Sequence, residues 1–332
     1  MEKFVNKKIL FFAPKFFNYE IEIKKKLEQL GAQVDFYDER MNPSNLDKVI
    51  IRLKKDLLTK KIESYYNNII DRSKNRKYDY VFFLSPETIT RELLQKLRRN
   101  QKNAKFIIYM YDSIKNKKNA REILNEFDSH FSFDKNDCEI DNRFKFRPLF
   151  YLDEYSKLAE KSYNKKYDIS FIGTVHSDRY EVIKSIKEQA ISNGLNVNFF
   201  MYFPSKIIYL VKKIFDKSYK NTEIKDFSFE SISKDKVLDI ISNSKVILDI
   251  QHPKQVGLTM RTIEMLGMKK KLITTNKNIK NYDFYNSNNI KIIDRNNPIL
   301  DLDFIKKTYE EIEKKIYEKY SIERWLRDIF DV

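Results

Sequence analysis

Short apolar segments alternate along this chain with longer segments whose apolar residues recur at helical spacing. The first of them are KKILFFAP, the helical pattern YEIEIKKKLEQLG and AQVDFYDER. A strand, a helix and a second strand in this order are typical of a βαβ unit, whose strands are parallel. Further strand patterns follow: YDYVFFLSP, AKFIIYMYDS, SHFSFD and FKFRPLFY. The pattern therefore predicts an α/β fold, with one long helix over residues 45–73.

A second alternating series begins at KYDISFIGT and continues through LNVNFFMYF, KVILDI, KKLITT and IKIID. A chain of 332 residues is longer than one ordinary core usually accommodates. We therefore predict two Rossmann-like domains that face a cleft, over residues 1–155 and 156–318. The remaining segment, 319–332, is predicted to contain a helix that packs back on the first domain.

The composition limits the function classes. With 64 Lys and Arg against 48 Asp and Glu, the net charge of +16 favours anionic partners such as nucleotide phosphates, nucleic acid or an anionic membrane. General compositional drift toward lysine explains the charge equally well. The one cysteine, Cys138, excludes an internal disulfide and a cysteine-built zinc site. No apolar run resembles a signal peptide or a membrane span, so a cytoplasmic or peripheral protein is expected.

The five glycines fall into two groups. Gly31, Gly194 and Gly267 each follow a helical pattern and precede a strand, which predicts left-handed residues at helix ends. Gly173 and Gly257 instead lie between a strand and the helix that follows it. Open α/β sheets bind ligands beyond the carboxyl ends of their strands. The second pair therefore indicates two ligand-binding loops.

An arginine follows each of these two glycines, Arg179 after Gly173 and Arg261 after Gly257. The free N–H groups at a helix start and a guanidinium group both bind phosphate oxygens. The pair of loops therefore predicts a nucleotide diphosphate site in the second domain. Each glycine taken singly fits an ordinary turn, and neither loop matches a Walker or dinucleotide motif.

Glu264 lies one helical turn after Met260 and Arg261, beside the apolar Ile263 and Leu266. Burying a carboxylate beside an apolar stripe costs free energy unless it has a partner. The two hydroxyls of a ribose would be suitable donors. A solvated or arginine-paired glutamate fits the spacing equally well.

The segment GLTMRTIEMLGMKKKLITTN, residues 257–276, resembles the donor-binding segment of GT-B glycosyltransferases, in particular the bacterial capsule and lipopolysaccharide enzymes and CgeB-like proteins. YDISFIGTVHSDRYEVI is similar to the first strand and loop of their C-terminal domain. YMYDSIKNKKNAREILNEFDSHFSFDKNDC and FRPLFY also resemble this group. The resemblance implies transfer of a sugar from a nucleotide-sugar donor to a growing cell-surface glycan. Residues 251–255 lack the earlier acidic residue of the familiar retaining enzymes, so the sugar and the stereochemistry stay open.

The resemblance also implies roles for individual residues on the donor side. Backbone N–H groups would bind the diphosphate at Gly257, Leu258 and Thr259, while Glu264 would hold the ribose. Three residues would line the opposite side of the donor: Gly173, Thr174 and Arg179. His176 is a candidate catalytic residue that would contact a phosphate or a sugar hydroxyl, although an isolated loop histidine is more often a plain surface residue.

The loops after the strands of the first domain are predicted to bind the acceptor. The segment PKFFNY contributes Phe16, Asn18 and Tyr19, and YDS contributes Ser113. Asp112 would be the base that deprotonates an acceptor hydroxyl if the enzyme inverts configuration. Helix capping explains Asp112, Ser113 and Asn18 equally well. The segment DER, residues 38–40, is predicted to be a charged loop without a chemical role.

No cofactor and no metal ion are expected, because a helix dipole and basic side chains can neutralise a leaving diphosphate. Two other function classes stay open. One is a non-transferring relative, such as a sugar-nucleotide epimerase or a phosphorylase. The other is a basic nucleic-acid-binding protein, although no nucleic acid partner is expected because the chain lacks the motif of a common binding module.

Residues 199–220, FFMYFPSKIIYLVKKIFDKSYK, combine apolar and aromatic residues with several lysines at helical spacing. Such a helix can lie in the interface of an anionic membrane, which would suit a lipid-linked glycan acceptor. The alternative is a helix whose apolar stripe faces the protein core.

Overall fold

The computed structural model describes residues 3–41, 58–175, 178–253 and 256–332. The chain forms two compact units, one of Met1–Leu149 with Ile322–Val332 and one of Phe150–Ser321. Each unit contains a parallel β-sheet with helices between its strands. This confirms the predicted α/β fold class.

The first unit has a six-stranded sheet in the order β2-β1-β3-β4-β5-β6, and every neighbouring pair is parallel. Its strands are β1 (Lys8–Ala13), β2 (Gln33–Asp38), β3 (Tyr80–Leu84), β4 (Lys105–Met110), β5 (Ser129–Ser132) and β6 (Phe144–Phe146). Its first helices are α1 (Tyr19–Gln29), α2 (Thr59–Ser73), α3 (Arg91–Asn100), α4 (Lys118–Ile123) and α5 (Lys135–Ile140). Part of the helix predicted over 45–73 lies outside the described residues, and the described part forms α2.

The central strands of this sheet are buried on both faces, as parallel strands between helices should be. On one face the rings of Phe12 and Phe83 stack with centroids 4.4 Å apart. On the other face Phe11 and Phe82 stack at 5.1 Å. The two aromatic pairs therefore lie on opposite faces of adjacent strands, and helices must cover both faces to bury them.

The last helix of the chain, α13 (Ile322–Phe330), belongs to the first unit although it follows the second unit in sequence. The fully buried Trp325 lies edge-on to Tyr109, with ring centroids 4.8 Å apart. Phe330 contacts Phe82 in the same way at 5.3 Å. The helix thus covers part of the second face of the sheet.

The second unit has a five-stranded parallel sheet in the order β11-β10-β9-β7-β8. Its strands are β7 (Tyr167–Thr174), β8 (Val197–Tyr202), β9 (Ser244–Asp249), β10 (Lys271–Thr274) and β11 (Ile290–Ile292). Its helices are α6 (Asp153–Ala159), α7 (Arg179–Ser192), α8 (Lys206–Phe215), α9 (Lys234–Ser242), α10 (Met260–Gly267), α11 (Leu302–Lys306) and α12 (Lys314–Lys319).

Two of the three glycines predicted to end helices adopt the left-handed conformation, Gly31 with φ +100° and Gly194 with φ +72°. The prediction for Gly267 is wrong, because this residue is the last of α10 and the left-handed residue is Lys269 with φ +50°. A Cβ atom at Gly267 would lie 2.6 Å from Cγ of Tyr151. Gly267 is therefore required for close packing against a ring.

We expect Trp325→Ala to lower the free energy of unfolding of the first unit by about 3–5 kcal/mol, because it leaves a large cavity in a packed interior. The matched control is Arg324→Ala, since the neighbouring side chain is 60% exposed; its effect should stay within about 0.5 kcal/mol. Urea titration followed by far-ultraviolet circular dichroism measures both. Equal effects of the two variants would contradict the packing assigned to α13.

Candidate functional site

The strand order of the second unit reverses at β7, which lies between β8 and β9. Ligands of open α/β sheets bind at such a switch point, beyond the carboxyl ends of the strands. The loop after β7 leads to α7, and the loop after β9 leads to α10. The structure therefore brings the two predicted donor-binding segments to one edge of one sheet.

Asp249, the last residue of β9, fixes the start of α10. Its buried Oδ2 accepts hydrogen bonds from Oγ1 of Thr259 at 2.5 Å and from Oγ1 of Thr262 at 2.7 Å. Thr259 is the N-cap residue, and its Oγ1 also accepts from the N–H of Thr262 at 3.1 Å. Because the first amides of a helix lack carbonyl partners within it, this arrangement holds a set of N–H donors at the sheet edge.

The loop before α10 is anchored from within the unit. Leu258 buries its side chain, with 2% exposed. Nδ2 of Asn276 donates to the carbonyl oxygens of Val256 and Gly257, both at 3.4 Å. The backbone of this loop is therefore positioned by contacts on its inner side.

Glu264 is buried and has both carboxylate oxygens engaged. Nη1 of Arg261 lies 2.9 Å from Oε2, and Oη of Tyr155 on α6 donates to Oε1 at 2.8 Å. The arginine-paired arrangement is thus the one observed. A carboxylate oxygen can accept more than one hydrogen bond, so a ribose hydroxyl could share these oxygens.

Arg179 is the first residue of α7, and its side chain folds back toward the end of β7. Its Nη1 donates to the carbonyl oxygen of Thr174 at 2.7 Å. Its Nε is buried and has no hydrogen-bond partner among the described residues. Burial lowers the pKa of the Arg179 guanidinium, whereas the nearby Asp249 carboxylate opposes that shift. A guanidinium remains cationic in proteins, so a half-buried positive charge, whose Nε has no partner among the described residues, lies at this edge.

The structure places Gly173 differently from its prediction, and a second predicted residue falls outside the described ranges. Gly173 is inside β7, which continues to Thr174, so it does not open the loop. Its added Cβ would lie 3.2 Å from Cζ of Phe171. His176 lies outside the described residues.

Arg295 is a site residue that the sequence reasoning missed. Its Nη1 donates to Oδ1 of Asp178 at 2.7 Å, and its Nη2 donates to the carbonyl oxygen of Gln251 and to Oγ1 of Thr275. It thereby joins the loops after β7, β9 and β10, and its charge acts on Arg179. It follows the strand pattern IKIID, so a search after every strand end would have found it.

In the first unit, the loops after β1 and β4 meet through two aromatic rings. Phe16 stacks on Tyr111 with centroids 5.6 Å apart, and 39% of Phe16 remains exposed. Asn18 occupies the N-cap position of α1 with φ +63°, but its side chain makes no capping hydrogen bond. Tyr19, the first residue of α1, is half-buried. The segment thus presents an exposed aromatic surface next to the loop that contains Asp112.

Asp112 and Ser113 differ in accessibility. The Asp112 carboxylate is 41% exposed, accepts from Nδ2 of Asn116 at 3.2 Å and lies 3.5 Å from Nζ of Lys117. Ser113 caps the short helix that follows and donates to Oδ1 of Asp137 at 2.9 Å. Capping therefore falls to Ser113, and Asp112 is the accessible carboxylate of this loop.

Glu39, in the segment predicted to be a plain charged loop, is fully buried. Its Oε1 accepts from the N–H groups of Thr88 at 2.6 Å and Ile89 at 3.2 Å, which joins the loops after β2 and β3. Its Oε2 has no partner among the described residues. Burial raises the pKa of Glu39 to about 7. Glu39 is therefore a buried residue that joins two loops, and the absence of a chemical role for this segment stays a prediction.

Within the described ranges, no three His, Cys, Asp or Glu side chains are grouped to hold a metal ion. His130 is buried, and its Nε2 lies 2.7 Å from the carbonyl oxygen of Leu124. Burial lowers the pKa of this histidine. His130 is therefore a buried, hydrogen-bonded residue of the first unit.

Comparison with known proteins shows similarity at the level of the fold. No protein-family model and no curated protein matches the sequence. A glycosyltransferase from Rickettsia africae is 15% identical with a TM-score of 0.62, over 98% of this chain and 97% of that one. The Anabaena protein HepE, solved with UDP and glucose, is 11% identical with a TM-score of 0.62, over 98% and 99%. A UDP-GlcNAc 2-epimerase from Methanocaldococcus jannaschii is 13% identical with a TM-score of 0.51, over 98% and 100%. These similarities confirm two Rossmann-like units of the GT-B type.

We expect the free energy of unfolding of the first unit to fall as pH rises from about 4.3, the ordinary pKa of a glutamate, to about 7. The folded state holds the Glu39 proton more tightly than the unfolded state, so this stabilisation is lost as the proton leaves. The loss should be at most about 4 kcal/mol, since the folded and unfolded pKa values lie about 2.7 units apart and one pKa unit corresponds to about 1.4 kcal/mol.

Glu39→Gln cannot titrate and should remove this part of the pH dependence. Urea titrations of both proteins at several pH values measure the difference. Parallel pH profiles for the wild type and the variant would show that Glu39 does not titrate in this range.

Proposed function

We propose that this chain is a glycosyltransferase that moves a sugar from a nucleotide-sugar donor to a growing cell-surface glycan. The observation that most supports it is the edge formed by β7 and β9. There Nε of the half-buried Arg179 has no hydrogen-bond partner among the described residues, and Asp249 fixes the start of α10 through Thr259. A diphosphate needs positive charge and several N–H donors in one place. The fold shared with HepE, which was solved with UDP and glucose, agrees with this use of the edge.

In this proposal the donor lies across the loops after β7 and β9. The amides of residues 257–259 and the guanidinium of Arg261 bind the diphosphate, and Glu264 binds the ribose. Gly173, Thr174 and Arg179 line the other side. Arg295 positions the loops through Asp178 and Thr275 and does not itself touch the donor.

The departing nucleoside diphosphate gains negative charge as the bond to the sugar breaks. Donors already held toward that charge stabilise the transition state without reorganisation. The start of α10 and the Arg179 guanidinium would supply them, so the proposed reaction needs no metal ion and no cofactor. His176 is proposed to contact the phosphate or the sugar.

On the acceptor side, Asp112 is proposed to take the proton from the attacking hydroxyl, because its carboxylate is accessible and hydrogen-bonded through one oxygen. The exposed rings of Phe16 and Phe17 would stack on a sugar, with Asn18, Tyr19 and Ser113 around them. Capsule and lipopolysaccharide glycans, free or lipid-linked, are the proposed acceptors. The enzyme would then work in the cytoplasm or at the inner face of the cell membrane.

A sugar-nucleotide epimerase is the alternative that shares this donor site. The TM-score to the epimerase, 0.51, is lower than the 0.62 to the glycosyltransferase, so transfer is favoured. Incubation with nucleotide sugars, with and without glycan acceptors, separates the two. A glycosylated acceptor supports transfer, whereas an isomerised donor formed without acceptor would support epimerisation.

We expect Glu264→Ala to weaken the binding of a nucleoside diphosphate by about 1–3 kcal/mol, the usual contribution of a hydrogen bond to a charged group. Calorimetric titration with a panel of nucleoside diphosphates measures this loss. The control is Tyr155→Phe, which removes a protein donor to Glu264 and keeps the carboxylate. The control should bind as the wild type does, and a folded Glu264→Ala variant with unchanged affinity would contradict the ribose contact.

We expect sugar transfer to continue in the presence of a chelator, because protein groups are proposed to neutralise the leaving diphosphate. The assay compares initial rates with and without EDTA, followed by addition of Mg²⁺ or Mn²⁺. A rate that falls in chelator and returns with the divalent ion would reject the metal-independent mechanism.

A further inference from the structure

We infer that the outward face of α8 docks the second unit on an anionic membrane surface. This inference goes beyond the proposed function and does not depend on it. It concerns the helix after β8 and not the donor loops after β7 and β9, and its evidence is the exposure and charge of that helix.

The outward face of α8 consists of apolar side chains that the described residues leave exposed. They are Ile207 (75% exposed), Ile208 (50%), Leu210 (52%), Val211 (51%), Ile214 (75%) and Phe215 (82%). At about 100° per residue, these six positions occupy one continuous arc of about 160° around the helix. An exposed apolar face of this kind marks an interaction site.

On the opposite side of α8, the buried residue Tyr209 packs the helix on the second unit. Tyr209 is 1% exposed and lies edge-on to Phe203, with ring centroids 5.7 Å apart, and 5.1 Å from the ring of Phe227. Its Oη lies 3.0 Å from Oγ1 of Thr222. The alternative of an apolar stripe that faces the core is therefore wrong, because the stripe faces outward.

Lysines border the apolar arc on both sides. By the same helical spacing, Lys206 and Lys213 lie on one border and Lys212 on the other. Lys206 and Lys213 are exposed, and the segment 206–215 contains no acidic residue. A surface with an apolar interior and anionic head groups fits this arrangement, since the apolar face enters the acyl boundary while the ammonium groups remain among the phosphates.

A second copy of the chain is the other occupant to consider. Two α8 helices packed face to face would bring their lysine borders together, with no carboxylate within the helix to pair with them. Like charges brought together in this way disfavour association. The charge pattern therefore favours the lipid surface over self-association.

The test is sedimentation of the full chain with vesicles of phosphatidylcholine alone or mixed with phosphatidylglycerol. The wild type should bind the anionic vesicles and bind them less as salt rises, because salt screens the lysine contribution. The variant Ile207→Ser, Leu210→Ser, Ile214→Ser should lose at least about tenfold in its partition coefficient, since three of the six apolar side chains of the face are removed.

The matched control carries Ile191→Ser, Ile224→Ser and Ile299→Ser. These three residues of the same unit are 54%, 47% and 63% exposed but lie off the α8 face. The control should bind as the wild type does. A second variant, Lys206→Glu with Lys212→Glu, keeps the apolar face and helix-forming residues; it should lose binding to anionic vesicles even if the serine variant does not fold.

Three results would overturn the inference. The first is a wild type that stays in the supernatant with anionic vesicles at low salt. The second is equal sedimentation of the wild type and either folded α8 variant. The third is self-association of the wild type in light scattering that the serine variant abolishes, because the face would then belong to a second copy.

Discussion

Every paired strand in both sheets is parallel, and this constraint governs much of the rest of the described structure. A parallel strand needs a crossover to its neighbour, and the crossover helices must cover both faces of the sheet. The apolar strand KILFFA can place Phe11 on one face and Phe12 on the other only because helices pack on each side. In the first unit the final helix, α13, supplies part of that cover with Trp325.

The same constraint collects the loops at the carboxyl edge, where the polar groups of the second unit meet. Asp249 accepts hydrogen bonds from two threonine hydroxyls, and Arg295 joins three loops through hydrogen bonds within the unit. Groups held in advance lose less entropy on binding, so such an edge is suited to a multiply charged ligand. The cost is a buried Nε atom of Arg179, which lacks a partner among the described residues. Unsatisfied donors of this kind are usually found where a ligand or water completes the site.

The strands were predictable from the sequence because each produces a local signal, an apolar run with turn residues at its ends. The position of the loops after β7 and β9 at one carboxyl edge was predictable for the same reason. Gly267 was not, since its requirement comes from the ring of Tyr151, more than a hundred positions away in the chain. Glu39 and Arg295 were missed because their partners, Thr88 and Thr275, become neighbours only when the sheet forms. Long-range hydrogen bonds leave no periodic signal in the sequence.

Helix α8 shows where the amphipathic pattern alone is ambiguous. The spacing of its apolar residues is the same whether they face a core or an external surface, and only the tertiary structure distinguishes the two. Here Tyr209 is its one buried residue, so the six outward apolar side chains contribute little to the packing of the unit. Exposed isoleucine and phenylalanine carry an aggregation risk in water, which folding does not offset. The lysines at both borders limit that risk by charge repulsion, and in the docking inferred above they would face the anionic lipid head groups.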